Sequence, residues 1–285
     1  MSIFSGIWVP VITPFADGAV DHGALRRLVR FYAEAGVAGL VALGTTGEPA
    51  ALETAEQDAV LATILAEARA LPVLAGVAGN HTASLRARIA QLNDLPVAGV
   101  LISAPYYIRP SQAGLIEHFT GLADLSGKPV VLYDIPYRTG VRLELATLLT
   151  LAAHPRIRAV KDCAGSLDTT LALILDGRLQ VLAGDDMNLF NTLCLGGSGA
   201  IAASAHVQPE RFVALYRALT EGRLEDGRAI FHTLAPLIGA LCSEPNPAPV
   251  KAALAAQGLV RDELRAPMTR ATEALRERLR QLVDA

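Results

Sequence analysis

Lysine is the least frequent basic residue of this sequence, and one lysine occupies a position suited to covalent chemistry. Lys128, Lys161 and Lys251 are the three lysines of the chain, although arginine is frequent. Lys161 alone ends a short apolar run typical of a buried strand. Burial disfavours the charged amine, and a neutral amine condenses with a ketone to give a Schiff base. A lysine at the edge of the fold, paired with Asp162 or Asp185, fits the same pattern, so the residues leave both interpretations open.

The stretch Thr45-Thr46-Gly47 follows another predicted strand and has the composition of an anion-binding turn. Small residues allow backbone N–H groups to face a ligand, and the two hydroxyls add further donors. Such a turn suits a carboxylate or a phosphate. A plain connection between a strand and a helix has the same composition, so this alternative also stays open.

Two further residues could complete a reaction centre with Lys161. Tyr133 ends the strand that precedes the Lys161 strand, and its hydroxyl could relay protons. Arg138 follows shortly afterwards and could bind a carboxylate through two parallel N–H donors. A buried core tyrosine and a surface arginine are the alternatives for these two positions.

Eight short apolar runs alternate with segments of helical periodicity between about residues 6 and 222. Nearly continuous apolar runs bounded by glycine, proline or polar residues are typical of parallel strands buried on both faces. Eight such units favour an α/β fold of the (β/α)8 barrel type over an open sheet, and no glycine-rich nucleotide-binding motif is present. The active site of such a barrel lies at the carboxyl ends of its strands. The predicted strands are Ile7–Thr13, Gly39–Leu43, Val73–Gly76, Gly99–Ser103, Val130–Tyr133, Ile157–Lys161, Gln180–Ala183 and Gly199–Ala202.

The alternation stops after Gly222, and the rest of the chain is predicted to be helical. We therefore predict a catalytic barrel over residues 1–223 and a three-helix appendage over residues 224–285. The three helices are predicted at about residues 224–241, 248–257 and 269–283. Helix-start signals within the barrel occur at Asp21, Thr54, Ser111 and Asp168.

The overall composition excludes several classes of protein. Hydrophobic residues make up 52% and charged residues 19% of the chain, which excludes intrinsic disorder. No apolar run approaches the roughly 18 uncharged residues of a membrane helix, and residues 1–10 lack the basic region of a signal peptide. A net charge of −3 without a basic cluster argues against nucleic acid as a partner.

Cysteine and histidine spacing argues against a disulfide framework and against a metal site. Cys163, Cys194 and Cys242 lie far apart and are odd in number, as is typical of reduced cytoplasmic proteins. The six histidines form no metal-ligand spacing. We therefore expect a cytoplasmic protein with no metal and no cofactor.

Six motifs occur in an order that resembles the pyruvate-dependent class I aldolase superfamily of dihydrodipicolinate synthase and N-acetylneuraminate lyase. The similarity covers nearly the whole chain and includes the spacing from Tyr133 to Lys161. One such motif is weak evidence, whereas six in order are highly specific. The motifs are GTTGE (44–48), PYY-x-RPSQ (105–112), YDIP-x-RTG (133–140), the strand that closes on Lys161, GDD (184–186) and EPNP-x-PVK (244–251).

The resemblance implies a lyase that binds pyruvate as a Schiff base on Lys161. Loss of a proton then gives an enamine, whose carbon attacks the aldehyde of L-aspartate 4-semialdehyde. The product closes to 4-hydroxytetrahydrodipicolinate, the first committed step toward diaminopimelate and lysine. The resemblance also implies that Thr45 and Thr46 bind the pyruvate carboxylate and that Tyr133 and Thr45 relay protons.

The resemblance further implies that Tyr107 completes this relay across a subunit interface. A homotetramer built from two obligate dimers is therefore expected. Gly184 and Ile201 are implied to line the site through their backbone. Arg138 is implied to bind the semialdehyde carboxylate, which favours the synthase over the sialic-acid and keto-sugar aldolases.

Two alternatives stay open beside the synthase. A related pyruvate aldolase or hydratase acting on another aldehyde, such as a keto-sugar acid, is the first, and a non-catalytic sensor of α-keto acids is the second. Two departures from the family pattern keep the first open: Asp134 stands where asparagine is frequent, and His206 stands where the synthases often have asparagine. Ile108, in place of the asparagine common after the two tyrosines, is a further departure. Retention of the implied nucleophile and proton relay argues against the sensor.

The pocket that binds lysine in the lysine-inhibited members of the family is altered here. Those members place histidines and an acid near a subunit interface, and of this pocket only Asn80 and Tyr106 are kept. We predict weak or absent inhibition by L-lysine. The altered positions hold Pro49, Thr54, Gln57 and Ser84.

Overall fold

The computed structural model describes residues 4–283, and parallel strands within this range form a closed barrel. The hydrogen-bonded order is β1-β8-β7-β6-β5-β4-β3-β2, and β2 pairs with β1 to close the ring. The predicted (β/α)8 barrel is confirmed. Its strands are β1 Gly6–Pro10, β2 Gly39–Ala42, β3 Val73–Val77, β4 Gly99–Ser103, β5 Val130–Asp134, β6 Ile157–Asp162, β7 Gln180–Ala183 and β8 Gly199–Ile201.

The predicted strand Ile7–Thr13 is too long, and a buried histidine accounts for the difference. Strand β1 ends at Pro10. Beyond it, the backbone N–H of Ile12 donates to Nε2 of His206 over 3.1 Å instead of joining the ladder. Nδ1 of His206 donates to the Ala203 carbonyl over 2.7 Å. Both ring nitrogens are therefore used, and the neutral imidazole links the chain after β1 to the chain after β8.

Helices follow each strand, and side-chain caps explain where several of them begin. Asp21 and Ser111 accept hydrogen bonds from the first turns of their helices, as predicted. The signals at Thr54 and Asp168 are displaced, because Glu53 and Ser166 are the capping residues there. None of the helices in residues 4–283 is long and apolar enough to span a membrane. The helices are α1 His22–Glu34, α2 Thr54–Ala68, α3 Thr82–Asn93, α4 Gln112–Leu125, α5 Pro136–Thr139, α6 Leu145–Leu151, α7 Leu167–Asp176, α8 Leu189–Cys194, α9 Pro209–Thr220, α10 Leu224–Leu241, α11 Ala248–Ala256 and α12 Glu273–Val283.

The chain divides into two compact units. The first comprises Phe4, Ser5 and Leu74–Ile201, and it carries most of β3 and all of β4 to β8. The second comprises Gly6–Val73 and residues 202–283, with β1, β2 and the C-terminal helices. The predicted division between a catalytic barrel and an appendage at residue 223 stays a prediction.

Candidate active site

Tyr133 and Lys161 are partners on neighbouring strands of the first unit. They lie opposite one another in the parallel ladder of β5 and β6. Nζ of Lys161 lies 4.3 Å from the centre of the Tyr133 ring, and both residues are buried. Partners in register present their side chains on the same face of a sheet. The structure therefore brings together the predicted nucleophile and the predicted proton relay.

The amine of Lys161 is removed from water. The residue is 6% exposed, and burial lowers the pKa of the amine below its ordinary value. Cys163 and Asp186 oppose this shift, whereas the guanidinium of Arg138 adds to it. A lower pKa increases the fraction of neutral amine near pH 7, which is the form that attacks a carbonyl carbon.

The two carboxylates proposed as alternative partners of Lys161 make hydrogen bonds elsewhere. Asp162 accepts from the backbone of Ala164 over 2.9 Å and from the Thr170 hydroxyl over 2.6 Å. Asp185 accepts from two groups of the turn that follows it, over 3.1 and 3.0 Å. The surroundings of Lys161 thus match the nucleophile interpretation better than the ion-pair interpretation.

Tyr107 and Arg138 line one open cavity of about 650 Å³. The Tyr107 side chain is 89% exposed, and its backbone has a left-handed φ of +71°, which is uncommon outside glycine. A hydrogen bond of 3.0 Å from the Tyr107 N–H to the Thr139 carbonyl fixes this conformation. The cavity therefore combines three exposed phenols with two guanidinium groups. Its lining residues are Tyr106, Tyr107, Arg109, Tyr137, Arg138, Thr139 and Gly140.

Gly184 and Ile201 lie at the carboxyl ends of β7 and β8. The Gly184 N–H donates to the Asp162 carbonyl over 2.8 Å. Gly184 therefore contributes to the site through its own carbonyl and through the space left by the absence of a side chain. Ile201 is the last residue of β8 and is buried. In the part of the chain that the structure describes, no cluster of three or more histidine, cysteine or acidic side chains could bind a metal ion.

Thr45 and Thr46 form a single 3₁₀ turn in the second unit. The turn spans Thr45–Gly47 at the carboxyl end of β2, and Thr46 is buried within it. The Gly47 carbonyl accepts from the Thr13 hydroxyl over 2.7 Å. Helix α2 begins only at Thr54, after a second 3₁₀ turn, so its positive end does not follow the threonines directly. The hydroxyls and backbone of the turn itself are the groups available for an anion.

Sequence comparison places these features in a known family. The sequence model of the dihydrodipicolinate synthetase family matches residues 3–285. This chain belongs to the dihydrodipicolinate synthetase family. The assignment agrees with the order of its motifs and with a closed barrel whose strand β6 carries Lys161.

Relatives within the dihydrodipicolinate synthetase family resemble the chain over its whole length. The 4-hydroxy-tetrahydrodipicolinate synthase of Syntrophus aciditrophicus is 38% identical over 285 residues, which cover 99% of this chain and 98% of the relative. The dihydrodipicolinate synthase structure from Thermotoga maritima superposes with a TM-score of 0.96 at 32% identity, covering 99% of this chain and 98% of that one. A structure from Cyanidioschyzon merolae with lysine bound has a TM-score of 0.96 at 28% identity, covering 100% and 98%. The family makes the chain a lyase of the class I aldolase type.

Three side chains around the threonine turn were given no role in the sequence analysis. Asn246 donates from Nδ2 to Oγ1 of Thr46 over 3.0 Å. Glu48, the residue after the turn, forms a buried ion pair with Lys251 over 2.5 Å. Asn246 and Lys251 lie in the EPNP-x-PVK motif, which supported the family resemblance without a role for either side chain. The scarcity of lysine was the one signal that could have singled out Lys251.

Proposed function

We propose that the protein condenses pyruvate with L-aspartate 4-semialdehyde to give 4-hydroxytetrahydrodipicolinate, a step of diaminopimelate and lysine biosynthesis. One observation carries the proposal: Lys161 is buried, has a lowered pKa and faces Tyr133 in a chain of the dihydrodipicolinate synthetase family. The full-length similarity to 4-hydroxy-tetrahydrodipicolinate synthases supports the choice of both substrates.

The neutral amine of Lys161 begins the reaction and is regenerated at its end. Nζ attacks the keto carbon of pyruvate and water leaves, which gives an imine. Loss of a methyl proton gives an enamine, whose terminal carbon bonds to the aldehyde carbon of the semialdehyde while the aldehyde oxygen takes a proton. The amino group of the semialdehyde then attacks the imine carbon, closes the ring and releases Lys161.

Proton transfer and substrate orientation are assigned to the predicted residues. Tyr133 lies beside the amine and is proposed to move protons to and from the imine together with Thr45 and Tyr107. The pyruvate carboxylate is proposed to bind at Thr45 and Thr46. Arg138 is proposed to bind the semialdehyde carboxylate, and backbone groups of Gly184 and Ile201 are proposed to line the site.

We also propose that the working form is a homotetramer of two tight dimers. The 89% exposure of Tyr107 on a constrained backbone supports a role in which this side chain reaches a partner subunit. Small-molecule substrates suit the family. The cytoplasmic location stays a prediction that rests on cysteine usage.

A second function, condensation of pyruvate with another aldehyde, is favoured by one observation. Asp134 stands next to Tyr133 at the end of β5, and burial raises the pKa of its carboxyl to about 7. A protonated carboxyl there differs from the amide that is frequent in the synthases. This difference favours an aldehyde other than L-aspartate 4-semialdehyde.

Borohydride trapping with pyruvate is the test of the proposed chemistry. Reduction should join pyruvate to Lys161, as read by peptide mass spectrometry, and Lys161→Ala should abolish the adduct. Labelling that persists in this variant would exclude Lys161 as the nucleophile, and absence of labelling in the native chain would support a sensor. An aldehyde panel read as kcat/KM then decides the substrate. A keto-sugar precursor that outperforms the semialdehyde would overturn the synthase assignment.

A further inference from the structure

Two side chains, one just before α11 and one in its first turn, contact the Thr45–Gly47 turn and the residue that follows it. Asn246 donates from Nδ2 to the Thr46 hydroxyl oxygen over 3.0 Å. Five residues further along the chain, Nζ of Lys251 lies 2.5 Å from Oε1 of Glu48. The same short segment of chain thus contacts both the middle of the turn and the residue that follows it.

Glu48 requires a partner for two reasons. Its backbone is left-handed, with φ +53° and ψ +41°, a conformation that costs energy for any residue with a side chain. Its carboxylate is also buried, and a buried charge without compensation is strongly unfavourable. The Lys251 ammonium supplies the opposite charge and so stabilises the conformation that ends the turn.

The Lys251 ammonium is itself fixed on three sides. Besides Glu48, it donates to the Glu263 carbonyl over 2.9 Å and lies 4.1 Å from the centre of the Phe15 ring. The Glu263 carboxylate accepts from the backbone of Asp17 and Gly18 over 3.0 and 2.6 Å. Lys251 is fully buried, so its position is determined by packing and by three directed contacts.

The hydrogen bond from Asn246 also determines what Thr46 can do. A hydroxyl oxygen that accepts from an amide N–H keeps its own hydrogen for another acceptor. The Thr46 hydrogen is then available to a ligand with acceptor oxygens, as a carboxylate has. The amide of Asn246 and the Glu48–Lys251 ion pair therefore act on the Thr45–Gly47 turn and on the residue that follows it.

We propose that Asn246 and Lys251 are positioning residues for the pyruvate carboxylate. Asn246 orients the Thr46 hydroxyl as a donor, and Lys251 fixes the turn through Glu48. This inference rests on the proposed function, because it assumes that pyruvate binds at the turn. It adds two residues of the C-terminal chain to the determinants of pyruvate affinity.

Variants of Asn246 test the orienting role. The measurement is the rate of borohydride trapping as a function of pyruvate concentration, which involves no aldehyde. Asn246→Ala should raise the half-saturating pyruvate concentration about fivefold, as expected for one net hydrogen bond. Asn246→Asp should raise it by about tenfold or more, because the carboxylate takes the Thr46 hydrogen and repels the ligand. The KM for the aldehyde should stay within about twofold of the native value.

Glu244→Gln is the matched control within the same segment. Its carboxylate accepts from the Thr272 backbone over 3.0 Å, before the start of α12, and serves no part of the turn. This variant should lower the melting temperature and leave the pyruvate dependence unchanged. If Asn246→Asp behaves like Glu244→Gln, Asn246 has only a structural role and the inference fails for this residue.

Variants of the ion pair test the role of Lys251. Lys251→Met leaves Glu48 as a buried unpaired charge, so poor folding is expected. The double variant Glu48→Gln with Lys251→Met removes both charges and should fold. Its half-saturating pyruvate concentration should still rise about fivefold, because the turn is no longer fixed. A double variant with native pyruvate dependence, whatever its melting temperature, would show that the pair does not position the turn for pyruvate.

Trapping by the native chain and by the variants distinguishes failure of the proposed function from failure of the positioning roles. Trapping that is absent in the native chain overturns the proposed function and this inference with it. Trapping that is normal in the native chain and unchanged in the Asn246 and double variants overturns the inference alone.

Discussion

Gly184 and Lys161 approach each other so closely that no side chain fits between them. A Cβ at Gly184 would lie 2.7 Å from Cγ of Lys161 and 2.4 Å from Sγ of Cys163. Both side chains are buried, Lys161 near the end of β6 and Cys163 just after it, so a Cβ at Gly184 would force one of them to shift. The missing side chain at the end of β7 is therefore a condition for the observed position of the amine.

Gly184→Ala should consequently displace the nucleophile. We expect loss of most borohydride-trappable adduct with pyruvate, with a smaller loss of stability, because the Lys161 side chain moves more readily than the strand. Gly121→Ala is the matched control, since a Cβ at Gly121 in α4 meets nothing within 4 Å. Native trapping by Gly184→Ala would show that the lysine tolerates a different position.

Arg138 should discriminate between aldehydes by their carboxylate. A bidentate contact between arginine and a carboxylate contributes roughly 1.5–3 kcal/mol, so Arg138→Ala should lower kcat/KM for L-aspartate 4-semialdehyde by about tenfold to a hundredfold. An aldehyde without a carboxylate serves as the internal control and should lose much less. Equal losses of kcat/KM for both aldehydes would show that Arg138 acts through its charge near Lys161 and not by binding the aldehyde carboxylate.

The positions of the strands could be predicted because burial on both faces leaves a local signal. The predicted runs Val130–Tyr133 and Ile157–Lys161 are nearly continuous in apolar character, and each observed strand extends only one residue beyond its predicted end. With eight such units, closure into a barrel followed. The Lys161 and Tyr133 positions followed from the same reasoning, since both terminate a run.

The contacts between distant segments could not be predicted in this way. Thr46 and Asn246 are 200 positions apart, and nothing in the spacing of either motif specifies that their side chains meet. The burial of Lys251 was equally hidden, because a helical stretch rich in alanine gives no signal for a buried cation. Such contacts depend on how the C-terminal chain packs, which local patterns do not encode.

Asp134 should make the protein less stable as the pH rises. Burial, with a smaller contribution from Asp162, raises the pKa of this carboxyl to about 7. Between about pH 4 and 7 the folded chain keeps a proton that the unfolded chain has lost, so stability falls with rising pH. Asp134→Asn should restore up to about 4 kcal/mol of the free energy of unfolding at pH 8. The asparagine side-chain oxygen can still accept the hydrogen bond from the Leu143 N–H. Urea unfolding of the native chain and of Asp134→Asn at pH 5 and pH 8 measures this difference. An equal change in the free energy of unfolding of both proteins between the two pH values would contradict the prediction.

L-Lysine should inhibit the protein weakly or not at all. The Gln57 amide, at one altered position of the lysine pocket, already donates to the carbonyls of Pro49 and Leu52 over 3.0 and 3.2 Å. The synthase from Cyanidioschyzon merolae, whose structure contains bound lysine, is a suitable positive control. With millimolar L-lysine, the initial rate of the control protein should fall, whereas the initial rate of this protein should stay near its value without L-lysine. Strong inhibition of this protein would show that the altered positions still bind the effector.

His206 should produce the opposite pH dependence to Asp134. Burial lowers the pKa of its imidazole to about 4, below the value near 6.5 of an unfolded chain. Between these values the unfolded chain binds a proton that the folded chain does not, so stability falls as the pH is lowered, by about 3 kcal/mol in total. His206→Asn should be less stable than the native chain at pH 7, with a deficit that shrinks toward pH 4. His232 is exposed in α10, and His232→Asn is the control. A stability deficit of His206→Asn that does not change with pH would mean that the His206 imidazole has the same pKa in the folded and the unfolded chain.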